Sequence, residues 1–192
     1  MSRICVVSPH CDDAVFSLGE YMLAWVEDGH ELTVFTVFAG VPDDLAGRRK
    51  HTTLHVEHHR AMRALGARGY MANLLDSVYP PRPPVGEVAE VIDHALSSIL
   101  PDIVIAPWGI HHDDHILTRQ AVLHCSHQKT LLFYDEIPYY VQYPEQACQD
   151  GTAAPLGFRS SLLGKQALCS FYASQIDDEL KRMLFVPERL WS

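Results

Sequence analysis

The apolar run Ile4-Cys5-Val6-Val7 breaks off at Ser8-Pro9-His10-Cys11-Asp12-Asp13, and helical spacing begins directly behind it. A short, uninterrupted apolar run is what a strand buried on both faces requires. The residues that follow, Val15, Phe16, Leu18, Tyr21, Met22 and Trp25, recur near the 3.6-residue period and predict a helix over 12–28. A strand that turns straight into a helix is the first half of a βαβ unit. In open α/β sheets, ligands gather at such carboxyl ends. Here that end carries a histidine and two carboxylates.

The second half of the unit follows. Residues 31–38 are β-branched and aromatic and predict a second strand, after a stop at Asp28-Gly29. Residues 40–50 read as a loop ending in Arg48-Arg49-Lys50, and 52–65 as a helix stopped by Gly66. A strand is expected around Tyr70 to Leu75, ending at Asp76, and then a proline-rich loop over 79–86. A helix over Val85–Leu100, a strand over 103–106, a helix over 116–125 and a strand over 131–134 complete the alternation. Residues 143–157 read as a surface loop, and 165–174 and 177–185 as terminal helices. No repeat, low-complexity tract or linker interrupts the chain. One α/β domain over 1–192 is expected: a Rossmann-like three-layer sandwich with a mostly parallel sheet. At 192 residues, 47% of them hydrophobic, the chain is large enough to bury a core.

A second cluster, His111-His112-Asp113-Asp114-His115, follows the apolar run 103–106. Imidazole nitrogen and carboxylate oxygen are ordinary zinc ligands at ~2.0–2.2 Å. His10 and Asp13, three apart, share one side of a helix start. The same spacing also serves a helix cap. One histidine of the second cluster can add a third ligand and leave a fourth position for water, as a catalytic zinc site requires. Asp12 would then lie beside that water and take its proton. No Cys-x-x-Cys pair is present for a structural zinc site. The first turn also lacks the glycines of a dinucleotide fold, since none stands between His10 and Leu18. His51, His55, His58 and His59 fall largely on one helical face; they could form a second metal site, but the preferred reading is a polar surface stripe near the pocket mouth. No role is expected for His124 and His127, and Cys11 is expected to pack within its turn.

The formal charge of −9 argues against nucleic acid or an anionic membrane as the main partner. No apolar run approaches ~18 residues, so no membrane span is expected. Met1-Ser2-Arg3 leads straight into the first strand with no signal peptide, and the five cysteines are scattered. A reduced, cytoplasmic protein is expected, able to form a homo-oligomer.

Taken together, the clusters resemble the PIG-L / LmbE-like zinc-dependent N-deacetylases. The family motif His-Pro-Asp-Asp stands here as His10-Cys11-Asp12-Asp13, and His-x-Asp-His as His112-Asp113-Asp114-His115. Glu57 with Ala64-Leu65-Gly66, Tyr134 to Tyr139, and the stretches from Lys165 to Gln175 and Pro187 to Trp191 extend the resemblance along the chain. It implies one Zn2+ per chain, or another divalent metal, held by His10, Asp13 and His115. Asp12 would be the general base. A protonated His112 would be the second catalytic group, with Asp114 orienting it or coupling to its charge. Asp76 matches a family aspartate that contacts substrate hydroxyls. The implied substrate is an N-acylated, most simply N-acetylated, amino sugar, glycoconjugate or related small metabolite. Leu54 stands where several members carry a substrate-binding arginine. Arg48, Arg49 and Arg60 are the candidate replacements, and Trp108 is a further candidate for the substrate pocket.

Three rival readings share these residues. A polysaccharide-deacetylase-like hydrolase also uses an aspartate pair, but its distorted barrel fits this strand pattern poorly. A metal-dependent phosphoesterase usually needs more bridging carboxylates. A catalytically silent binding module would keep the pocket and lose the turnover.

Overall fold

In the computed structural model, residues 1–126, 130–152 and 161–192 are described. His127 and residues 153–157 of the expected loop lie outside them. The chain opens with β1 (Arg3–Ser8), α1 (Asp13–Glu27), β2 (Glu31–Thr36), α2 (Leu45–Leu65) and β3 (Arg68–Met71). It continues through α3 (Val85–Ile99), β4 (Ile103–Pro107), α4 (Asp113–His124) and β5 (Leu131–Tyr134). Beyond lie the short α5 (Tyr139–Gln142), α6 (Leu162–Cys169), a 3-10 turn (Ser170–Tyr172), α7 (Asp178–Met183) and β6 (Leu190–Trp191).

The six strands form one sheet in the order β3-β2-β1-β4-β5-β6. All neighbours are parallel except β6, which pairs antiparallel with β5 through Phe133–Trp191 and Tyr134–Leu190. Strand side chains alternate with period 2 and feed two cores. Ile4, Val6, Leu32, Val34, Ile105 and Leu132 pack with α1, α2 and the C-terminal elements. Cys5, Val7, Phe35, Val104 and Ala106 pack on the other face, with α3 and α4. The result is the expected Rossmann-like three-layer α/β arrangement. Strand order reverses between β1 and β4, the topological switch point at which ligands bind in such sheets.

Several boundaries differ from the sequence reading. Helix α2 begins at Leu45, not 52, because the Asp44 side chain accepts the Gly47 amide at 2.8 Å and caps the helix there. The basic run 48–50 is therefore helical. Helix α4 begins at Asp113 rather than 116, with His112 as its cap: Nδ1 accepts the Asp114 amide at 3.2 Å. Strand β3 lies at 68–71, two residues early, and only a single bridge from Phe38 to Asn73 extends that edge. Among the described residues, no helix is long and apolar enough to cross a membrane.

Candidate metal centre

The β1–α1 turn is shaped by its own polar atoms. Ser8 Oγ donates to the His10 carbonyl at 2.6 Å and accepts the Ala14 amide at 3.2 Å. The His10 amide donates to Asp13 Oδ2 at 2.8 Å. Asp12 occupies the cap position of α1 but makes no capping hydrogen bond, so the cap reading of this motif does not hold for it. Asp12 faces a cavity of about 350 Å³ instead.

Across the switch point, α4 turns its first residues in two directions. His111 adopts φ +59° and stacks on Tyr143 at 3.7 Å between ring centroids. Asp113 is exposed and pairs with Arg82 at 3.0 Å. His112, Asp114 and His115 turn inward, and the choice among the three histidines of that cluster narrows accordingly. The rings of His10, His112 and His115 stand 5.1–5.4 Å apart.

Asp13 Oδ2 lies 3.2 Å from His10 Nδ1 and 3.2 Å from His115 Nε2. Donors bound to one tetrahedral zinc at ~2.0–2.1 Å stand about 3.3 Å from one another. The ligand atoms of His10, Asp13 and His115 lie within 4.8 Å of one another, as do those of His10, His112 and Asp114. His115 is fully buried, yet its Nε2 has no hydrogen-bond partner among the described residues, a costly state unless another ligand satisfies it. Two imidazoles and a carboxylate of this geometry fit a divalent metal.

Charge within the cluster is self-compensating. Burial penalises the Asp13 carboxylate, but His115 and His10 outweigh it and hold its pKa well below the usual range. Burial also lowers His115, yet Asp13 and Glu136 together raise it to about 9. For Asp12, burial and then the neighbouring Asp13 charge prevail over His10, raising it to about 6. Asp114 Oδ2 sits 3.1 Å from His10 Nε2, accepts the Ser77 amide at 3.1 Å, and is 4.0 Å from His112 Nδ1. Asp114 therefore contacts His10 more closely than the His112 it was expected to orient.

The cavity around the cluster departs from the expected substrate residues. Asp76 lines it, with Oδ2 3.9 Å from His10 Nε2. Trp108 does not: its indole donates to the Gln146 carbonyl and lies under the Arg119 guanidinium at 3.9 Å. Arg48 does not either, being exposed and 3.3 Å from Asp43. Arg49 and Arg60 lie along an outer groove of α2. Lys50 and His51 reach the cavity beside Leu54. The histidine stripe is a surface feature only in part. His58 is fully buried, with Nδ1 2.8 Å from the Cys11 carbonyl, and His51 is 6% exposed. Cys11 is buried within the core, as expected.

Sequence reading missed Tyr139, Gln142, Leu180 and Met183 as cavity walls, because nothing local connects these late residues to the first turn. It also missed Glu136, although acids just beyond a strand end are the same signal that exposed the other two clusters.

The sequence model of the PIG-L family, described as GlcNAc-PI de-N-acetylase, matches residues 5–126. No curated protein sequence matches. A triple mutant of a deacetylase from the teicoplanin biosynthetic pathway superposes with a TM-score of 0.80 at 27% identity, covering 98% of this chain and 96% of that one. The A40926 pseudoaglycone deacetylase gives 0.70 at 28% identity, over 90% and 82% of the two chains. A 4-carboxy-2-hydroxymuconate hydratase from Pseudomonas putida gives 0.66 at 19% identity, over 96% and 83%. That last likeness is one of fold alone, and a fold does not fix the reaction.

Proposed function

The chain belongs to the PIG-L family, and from that premise we propose that it is a metal-dependent amide hydrolase that removes an N-acyl group, most simply acetyl, from a small amino sugar, glycoconjugate or related metabolite. The observation that carries this reading is the convergence of His10, Asp13 and His115 within 4.8 Å, beside Asp12, which lines the adjoining cavity. These three residues would hold one divalent metal, for which zinc is the best match to two imidazoles and a carboxylate. When bound, the metal supplies Lewis acidity toward the amide carbonyl and acidifies water.

The chain's own groups do the rest. Asp12 lines the cavity, makes no cap hydrogen bond, and is free to accept the proton of attacking water. His112 is set as a hydrogen-bond donor. Its Nδ1 is engaged by the Asp114 amide, so the ring proton sits on Nε2. Burial, followed by the His115 and His10 charges, lowers the His112 pKa. The Asp114 amide contact at Nδ1 supports a His112 that donates from Nε2 to the developing oxyanion. Asp12 then returns its proton to the departing amine. Asp76, which lines the cavity, would accept from a substrate hydroxyl.

The test is amine release from a panel of N-acetyl amino sugars, with and without chelator. Asp12→Asn is expected to cut kcat by about 10²–10⁴-fold while bound zinc remains stoichiometric. Full activity in that variant, or hydrolysis indifferent to chelator, would sink the reading. Phosphate release from phosphoesters in place of amine release would favour the phosphoesterase.

A further inference from the structure

Glu136 lies two residues beyond the end of β5, and its side chain is completely buried. One of its oxygens, Oε1, collects three groups from a single stretch of chain. The Gly109 amide donates at 2.8 Å, the Ile110 amide at 3.1 Å, and His115 Nδ1 lies 3.2 Å away. The loop between β4 and α4 is thus folded around one carboxylate oxygen. Gly109 takes φ +86° to make this possible, a conformation that L side chains rarely adopt. The other oxygen, Oε2, is buried and has no hydrogen-bond partner among the described residues. On the opposite edge of the His115 ring, Nε2 is equally buried, faces Asp13 Oδ2 at 3.2 Å, and has no hydrogen bond among them either.

We propose that Glu136 is a positioning residue for the metal: by accepting the Nδ1 proton of His115 it fixes the ring so that the Nε2 lone pair points at the ion. The inference rests on the metal reading above and extends it to a residue that does not touch the ion. A carboxylate behind a histidine ligand fixes its tautomer, holds its orientation and raises its basicity. Here the same carboxylate also anchors two amides of the preceding loop. The ring plane and the backbone that carries it are therefore set from one point. His10 has a carboxylate behind it too, with Nε2 3.1 Å from Asp114 Oδ2, but the Glu136 oxygen differs in also holding two amides of the loop that precedes its histidine.

Glu136→Gln keeps the shape and removes the charge. Zinc affinity, measured by competition with a chromophoric chelator, is expected to fall by about tenfold or more. The second readout is the His115 Nδ1–H resonance of the zinc-loaded protein. It is expected far downfield and slow to exchange in the parent, and upfield or fast-exchanging in the variant. A purely structural role would not move that resonance. Glu136→Asp, which keeps the charge but withdraws the oxygen from the ring, decides the question by the same two readouts if the Gln variant fails to fold. Zinc affinity within twofold of the parent, or a His115 that binds zinc through Nδ1, would overturn the inference and leave the metal site standing. A parent protein that binds no zinc would overturn both.

Discussion

His58 shows how a single residue can read one way in sequence and behave another way when folded. Its helical spacing places it with three other histidines, yet its neighbours bury it completely. Nδ1 lies 2.8 Å from the Cys11 carbonyl, which also accepts the Tyr172 hydroxyl at 2.8 Å. A Cβ on Gly69 would stand 2.9 Å from His58 Nε2, so the ring fills its space fully. Burial dominates its titration. Despite the Cys11 carbonyl, which favours the charged form, the pKa falls to about 4. The folded state therefore binds fewer protons than the unfolded state between about pH 6.5 and 4, and stability falls as the pH falls through that window. From pH 7.5 to pH 5 the loss assignable to His58 is about 2 kcal/mol. Urea unfolding of the parent and of His58→Gln at both pH values measures it as the difference between the two acid-induced losses. A difference below about 0.5 kcal/mol would mean that His58 charges in place. The metal-cluster residues were legible because each set lies within six consecutive positions after an apolar run. The fate of His58 was not, because its partners stand 47 and 114 residues away.

At the scale of elements, the interior of each strand and helix was legible from periodicity, and the ends were decided by side chains. Asp44 and His112 moved the starts of α2 and α4 forward, since a cap depends on one side chain meeting one amide. Helix α1 carries the least legible feature, a break at Leu18 (φ −134°, ψ 18°). Such a break frees amides for the second half of the helix, and Glu188, from the far end of the chain, takes two of them. Its carboxylate accepts the Glu20 amide at 2.9 Å and the Tyr21 amide at 3.0 Å. Glu20 in turn accepts the Ser161 amide at 2.9 Å, at the start of α6. Lys165 of α6 closes the latch, its ammonium 2.8 Å from Glu188 Oε1 with both side chains fully buried. Leaving one member of such a pair alone in the interior costs about 3–5 kcal/mol. Glu188→Ala should therefore destabilise by that order, whereas Lys165→Met with Glu188→Leu should recover part of the loss. Thermal melts of the three proteins decide it, and an equal deficit in single and double variants would show that the amide capping, not the ion pair, matters most.

The whole molecule is a sheet whose order places β1 and β4 side by side, so two clusters a hundred residues apart meet at one end of it. Alternating strands and helices made that parallel sheet legible. The antiparallel β6, only two residues long, was not, because its existence depends on β5 offering an edge. The same C-terminal stretch sets the shape of the cavity. Latched onto α1, it carries α7 to the cavity, where half-buried Leu180 and Met183 join Phe16 and Leu54 as apolar lining beside the polar His10, Asp12 and Asp76. The polar residues belong to the chemistry and the late apolar lining to substrate choice, so the two should separate on mutation. Removing that lining takes away contacts made equally before and during reaction, which raises KM and spares kcat. Leu180→Ala and Met183→Ala each delete several methylene-sized groups from a partly exposed site. At about 0.8 kcal/mol per buried methylene, diluted by exposure, each should raise KM by about three- to tenfold. Zinc affinity should stay within twofold of the parent, because neither side chain reaches the His10, Asp13 and His115 donors. Steady-state kinetics on any N-acyl substrate that turns over, paired with chelator competition, measures both quantities. A fall in kcat at unchanged KM would place α7 in the chemistry instead, as an element that must move or close during turnover.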